Sequence, residues 1–193
     1  MDLSTIIRSS LHQNFFFIQI GANDGIANDP LNRYINAFRW KGILVEPLPD
    51  VFDRLRATYA DRPELVFENV AINDVPGETD FYRHPLWDDC SGLQITTRRQ
   101  RRAGDLIIKT RVVCMTLQQL LEKHKITAID LLQIDTEGFD YNIIKQIPWQ
   151  RIKPKIIHYE HKHLKHTQND CKRLLEAQGY MIEKKGHNTL AYQ

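Results

Sequence analysis

Carboxylates that follow apolar runs are the side chains of this sequence best placed to do chemistry. The run IDLLQI leads directly into Asp135-Thr136-Glu137-Gly138 and then into a helical pattern. Two acids one residue apart at a strand end are suited to taking a proton from a substrate. They are equally suited to capping and polarising the first turn of the helix that follows. Further on, KIIHYEHKH puts His158 and Glu160 on one face of a strand and Tyr159 and His161 on the other. A histidine with a nearby carboxylate is the usual equipment of a general base, so Asp135, Glu137, His158 and Glu160 are the catalytic candidates, with Glu137 and Asp135 ranked ahead of His158. Clustered carboxylates also suit Mg²⁺ or Mn²⁺, which makes Asp135, Glu137 and Glu160 a candidate metal set. His158, His161, His163 and His166 match no metal-ligand spacing and are read as surface and strand-end histidines.

A second constellation points to a cofactor. In FFFIQIGANDG an apolar strand runs into Gly21-Ala22-Asn23-Asp24-Gly25, a turn at which missing Cβ atoms let the backbone bend sharply and a ligand lie against it. Glu46 ends the run GILVE, 25 positions beyond Gly21. An acid at that distance and at the tip of the second strand can accept hydrogen bonds from ribose hydroxyls, so the two features together favour an adenosine-containing cofactor. The spacing is G-x-x-x-G with Asp24 inside it, where a dinucleotide turn would be G-x-G-x-x-G. A carboxylate there repels pyrophosphate but can pair with an ammonium and a sulfonium.

These residues need a scaffold that brings them to one place. Apolar runs at Phe15–Ile20, Gly42–Val45, Leu65–Val70, Ile129–Ile134 and Lys155–Tyr159 alternate with helical patterns at Pro49–Tyr59 and Phe139–Ile147. This is the signature of an α/β fold with a parallel sheet covered on both faces. A further helix is expected over Thr167–Gln178, capped at Gly179, and a hairpin turning at Gly186–Asn188. Ligands of such sheets sit outside the carboxyl ends of the strands, so the crevice should gather Gly21, Glu46, Asp135 and Glu137. The stretch 81–113 breaks the rhythm and is expected to be an elaboration or lid. Its run Arg98-Arg99-Gln100-Arg101-Arg102 is either a solvated loop or a device that steers an anionic acceptor.

The size suits one domain, 1–193, with residues 1–14 as a short N-terminal extension. A formal charge of +2 gives no electrostatic footprint for nucleic acid. No apolar stretch reaches the ~18 residues of a membrane span. Cys90, Cys114 and Cys171 are odd in number and follow no ligand spacing, so a cytoplasmic, reducing location is expected.

The chain resembles the FkbM-type methyltransferases from about Phe15 to the last strand. The marks are IQIGANDG, ILVEP, NVAIND, Ser91, the Val113-x-x-Thr116-Leu117 step into a helix and, above all, IDLLQIDTEGFDYNII. The resemblance implies a Rossmann-like class I fold with a mostly parallel seven-stranded sheet, and S-adenosylmethionine as cofactor. It implies that Gly21, Asn23 and Asp24, with Ala22, lie by the methionine part, Glu46 with Pro47 by the ribose, and Asn69 and Ala71 by the adenine. Asp135 and Glu137 would sit near the methyl group with Glu160 close by, and Ser91 would touch the substrate. The sequence departs from the family at Gln133, commonly Lys, and at Gln146, often Gly. The expected activity is O-methylation of a sugar or glycan hydroxyl. Two alternatives stay open: a nucleotide-sugar glycosyltransferase using Asp135-x-Glu137 or Asp88-Asp89 with Mg²⁺ or Mn²⁺, and a cofactor-binding module without turnover.

Overall fold

The computed structural model describes residues 3–10, 12–84, 87–93 and 107–193. Helix α1 (Leu3–Ser10) precedes strand β1 (Phe16–Ile20), and α2 (Asn32–Phe38), β2 (Lys41–Val45), α3 (Pro49–Thr58) and β3 (Leu65–Glu68) complete the first half. After β4 (Ala71–Ile72), β5 (Gly77–His84), β6 (Trp87–Gly92) and β7 (Ile108–Met115), the rhythm resumes with α4 (Leu117–Lys123), β8 (Leu131–Ile134), α5 (Asp140–Lys145) and β9 (Ile156–Glu160). Helix α6 (Gln168–Ala177) and the hairpin β10 (Met181–Lys185) and β11 (Asn188–Tyr192) end the chain. Among the described residues no helix is long and apolar enough to cross a membrane.

The main sheet has the order β10-β11-β9-β8-β1-β2-β3. Neighbouring strands from β3 to β9 run parallel, and β11 is antiparallel to both β9 and β10. The expected α/β fold with a seven-stranded sheet and a C-terminal hairpin is therefore present. β8 and β9 are buried along their whole length, which is why they read as apolar runs rather than alternating ones. One face packs Ile18, Ile43, Leu132 and Ile157 under α4, α5 and α6. The other packs Phe17, Leu44, Leu131 and Ile156 against α1 and α2, where Trp40 stacks on Phe15 at 4.2 Å.

The 81–113 stretch proves more regular than expected. In its described parts, β5, β6 and β7 join β4 in a second, four-stranded sheet of order β4-β7-β5-β6. Its apolar face, Phe81, Val112 and Cys114, packs on Leu48, Val51 and Ala71, next to the end of β2. The Arg98–Arg102 run lies outside the described residues, as do the side chains of Asp88 and Asp89.

Candidate active site

The carboxyl ends of β1, β2, β8 and β9 surround a cavity of about 420 Å³. Gly21, Ala22, Asn23, Glu46, Pro47, Ala71, Ser91, Asp135, Glu137 and Glu160, all sequence candidates, line it. The fold has gathered residues up to 139 positions apart because parallel strands all deliver their carboxyl ends to one edge.

The glycine turn is held from two sides. Gly21 and Ala22 N–H groups donate to the Val45 carbonyl, both at 3.0 Å, and Glu46 accepts from Asn23 N at 3.0 Å and Leu48 N at 3.0 Å. Glu46 is buried, and its carboxylate knits the turn to the tip of β2 while facing the cavity. Asn69 acts from behind: its amide donates to the carbonyls of Glu46 (2.8 Å) and Pro47 (3.1 Å) and does not line the cavity. Asp24 is also turned away, since Oδ1 accepts from Ile26 N (2.9 Å) and Ala27 N (2.8 Å) to shape the following loop. Val70, Ala71, Ile72, Phe81 and Leu93 make the wall beyond Glu46 apolar, as a purine ring requires.

The chemistry-bearing end is built around Asp140, in the first turn of α5. Asp140 is fully buried, and its Oδ2 accepts from Thr136 Oγ1 at 2.8 Å and more loosely from Thr136 N and Gly138 N. Its Oδ1 accepts from Glu160 N at 3.1 Å. One carboxylate thus fixes the loop after β8 to the end of β9. Burial, and the nearby Glu160 carboxylate, push its pKa up to about 7 despite those hydrogen bonds. The loop turns through Glu137 at φ +57° and Gly138 at φ +110°.

His163 joins the two chains of acids. Its Nδ1 lies 2.8 Å from Glu137 Oε2 and 3.0 Å from Glu160 Oε2. The two carboxylates hold its pKa up at about 9, so it is an imidazolium at neutral pH. Read from sequence as a surface histidine, it instead occupies the centre of the acid cluster. Asp135 opens onto the cavity, yet protein crowds it on its other sides. This desolvation, followed by the like charges of Asp140, Glu160 and Glu137, lifts its carboxyl well above the ordinary range, with His163 pulling it back.

The expected metal set is not assembled. The ligand atoms of Glu137, Glu160 and His163 lie within 4.8 Å of one another, but Asp135 is not in that group. The group already contains its own cation, and a metal would have to strip the His163 proton that both carboxylates retain. These residues do not fit the expected ion. His158 does not reach the cavity either: it lies one strand repeat below Glu160, buried, with Nδ1 2.6 Å from Gln133 Oε1. Burial drops its pKa to about 4.

Several lining residues escaped the sequence reading. Gln19 interrupts an apolar strand, and its amide donates to Asp29 Oδ1 at 3.0 Å, leaving Oε1 buried with no partner among the described residues. Ser91 Oγ, a sequence candidate, is likewise buried with no partner among the described residues. Asp29 lines the cavity beside Gln19, and Lys162 and Asn188 complete the wall at the ends of β9 and β11.

A sheet of this order, ending in an antiparallel hairpin, has the class I methyltransferase fold. The methyltransferase FkbM domain model matches residues 19–182, and the chain belongs to that family. Among solved structures it is similar to an FkbM methyltransferase from Methylobacillus flagellatus KT, with 12% identity and a TM-score of 0.63. That match covers 96% of this chain and 46% of the other, so the chain spans about half of that protein's length. A precorrin-6y C5,15-methyltransferase from Geobacter metallireducens GS-15 matches at 14% identity and a TM-score of 0.52, covering 98% and 87% of the two chains. Aeropyrum pernix fibrillarin, in complex with natively bound S-adenosyl-L-methionine, matches at 9% identity and 0.51, covering 94% and 66%. No curated protein matches by sequence. The family sets the glycosyltransferase reading aside: the chain is an S-adenosylmethionine-dependent methyltransferase.

Proposed function

We propose that the chain transfers the methyl group to a hydroxyl of a polyhydroxylated acceptor, a sugar or glycan. The observation that carries this reading is the wall contributed by β8, β9 and β11. Phe139 and the His187 imidazole apart, it offers hydroxyl, amide, carboxyl and ammonium groups: Thr136, Gln133, Glu137, Glu160, Lys162 and Asn188. Such a surface suits a ligand rich in hydroxyls.

In this reading the cofactor's methionine part lies over Gly21–Asn23, its ribose on Glu46 beside Pro47, and its adenine against Ala71 and Phe81. Gln19 Oε1 and Ser91 Oγ are buried groups that a bound ligand would satisfy, which favours occupancy of this cavity. When bound, S-adenosylmethionine supplies an electrophilic methyl, so that the acceptor oxygen forms the C–O bond while the C–S electron pair stays with sulfur. The chain then has two tasks, to align the acceptor hydroxyl and to receive its proton. No covalent enzyme intermediate is required. We place the protein in a reducing, cytoplasmic setting, in keeping with the buried free thiols of Cys114 and Cys171.

The test has two stages. S-adenosylhomocysteine should raise the melting temperature where UDP and GDP sugars do not. Isotope-labelled methyl should then appear, by mass spectrometry, on oxygen of a sugar from a mixed acceptor panel that also contains amines and phenols. Label found only on nitrogen or on a phenol would overturn the reading.

A further inference from the structure

At the ends of β8 and β9 three acids share one small region, and they differ in partners. Glu137 and Glu160 both converge on His163 Nδ1. The Asp135 carboxylate has no hydrogen bond or ion pair among the described residues, although it lines the same cavity. We propose that His163 is a positioning residue that keeps Glu137 and Glu160 side by side as carboxylates, and that Asp135 is the catalytic residue that takes the acceptor proton. The second half rests on the O-methylation reading above.

The geometry requires a cation between the two glutamates. Their Oε2 atoms approach the same nitrogen within 3.0 Å. Two carboxylates that close, without a charge between them, would share a proton or move apart. The fold has built the contact deliberately. Glu137 stands in the left-handed region at φ +57°, an unfavourable conformation for a residue with a Cβ, and Asp140 pins the loop on both sides of it. Gly138 then packs directly on His163: a Cβ at Gly138 would come 3.3 Å from the His163 carbonyl oxygen and 3.4 Å from its Cβ. A larger residue there would press His163 away from the pair.

The arrangement also tunes Asp135. Facing it are Asp140 from α5, Glu160 from β9, Glu137 from its own loop and His163 from the loop after β9. Burial and the three acids raise its proton affinity and His163 moderates it, so that it is a stronger base than an ordinary aspartate. Glu137 already pairs with His163 Nδ1, whereas the Asp135 carboxylate has no such partner among the described residues. In the transfer, the hydroxyl proton passes to an Asp135 oxygen, and that is the only proton moved.

The test uses the full chain loaded with S-adenosylhomocysteine. Imidazole NMR should show His163 protonated until about pH 9. In His163→Gln, the Asp135 carboxyl resonance, identified by its loss in Asp135→Asn, should titrate at higher pH than in the wild type. His163→Lys, which restores a cation, should bring it back. With an oxygen acceptor in hand, His163→Gln should move the acidic limb of the kcat profile upward. Asp135→Asn should lower kcat by ~10² to 10⁴ at unchanged cofactor affinity, with Asp135→Ser as a second variant if the first is poorly folded. A His163 that titrates near 6.5, or an Asp135 titration indifferent to His163, would overturn the clamp. Normal turnover in both Asp135 variants would overturn the base while leaving the clamp standing. Failure to find any oxygen acceptor bears on the function above, and the NMR titrations decide the clamp without it.

Discussion

A methyl group placed on Gly21 would lie 1.9 Å from the backbone carbonyl oxygen of Asp135. The glycine turn after β1 and the acidic turn after β8 therefore touch, backbone to backbone, and Asp135 N donates to Ile20 O at 2.9 Å to hold them there. Gly21 also sits at φ +79°, so alanine meets both a clash and a strained backbone. Gly21→Ala should lower the melting temperature by several degrees and weaken S-adenosylhomocysteine binding at least ~10-fold, since the turns must separate. Gly186, at φ +59° with open space around it, is the control: Gly186→Ala should cost only ~1 to 2 kcal/mol of strain and leave affinity unchanged. Equal effects of the two substitutions would show that the close approach has no bearing on the site.

Glu46 holds the turn after β1 and, in the proposed reading, the ribose, and each role has its own measure. As the ribose ligand it would contribute charge-assisted hydrogen bonds worth ~1.5 to 3 kcal/mol, so Glu46→Ala should weaken binding by roughly one to two orders of magnitude. As the acceptor of Asn23 N and Leu48 N it also holds the turn, so the unliganded mutant should melt lower than the wild type. Glu46→Gln retains one acceptor oxygen and should fall between the two on both measures. Calorimetry showing wild-type affinity in Glu46→Ala would remove it from the cofactor site.

How much of this was legible depended on what each residue's position rests upon. β1, β2, β8 and β9 are buried along most of their length, so their sequences are largely apolar, and the acids at or beyond their carboxyl ends could be placed at one sheet edge. Strand alternation gave the face of His158 but not its depth. It lies two residues before the end of β9, enough to bury it beside Gln133 rather than present it to the cavity. His163 was opaque for another reason. It meets Glu137 only because Asp140 ties two loops together, and such a long-range contact leaves no periodicity in the sequence. The second sheet was missed likewise, because β5 and β7 pair although more than twenty residues separate them in sequence.

Metal removal should have no effect. The His163 imidazolium sits between Glu137 and Glu160 where a divalent ion would bind, and Asp135 alone is a poor site. Melting temperature and S-adenosylhomocysteine affinity should be the same in EDTA as in Mg²⁺ or Mn²⁺. Restoration of turnover by one of these ions after chelation would mean that the histidine yields its proton to a metal.

Stability should carry the signature of His158 on the acid side of neutrality. In the folded chain it stays neutral to about pH 4, whereas an unfolded histidine titrates at 6.5. Between those values the unfolded chain binds a proton that the folded chain refuses, so stability falls as pH drops from 6.5 toward 4. A depression of this size corresponds to about 3 kcal/mol at most. His163 acts in the opposite window: raised to about 9, its contribution is fully present below 6.5 and fades as pH rises through 9. It therefore stays constant over the acid range. Asp140, raised to about 7, does vary there, but equally in any variant that leaves it in place. The difference between wild type and His158→Gln isolates the histidine. Measured by urea unfolding at pH 7, 5.5 and 4.5, the glutamine variant should be the less stable at pH 7, where it has lost a well-packed ring. It should gain on the wild type steadily as the pH falls. A stability difference that stays flat across that range would mean that His158 is not held neutral in the folded protein, and that its contact with Gln133 admits the charged ring.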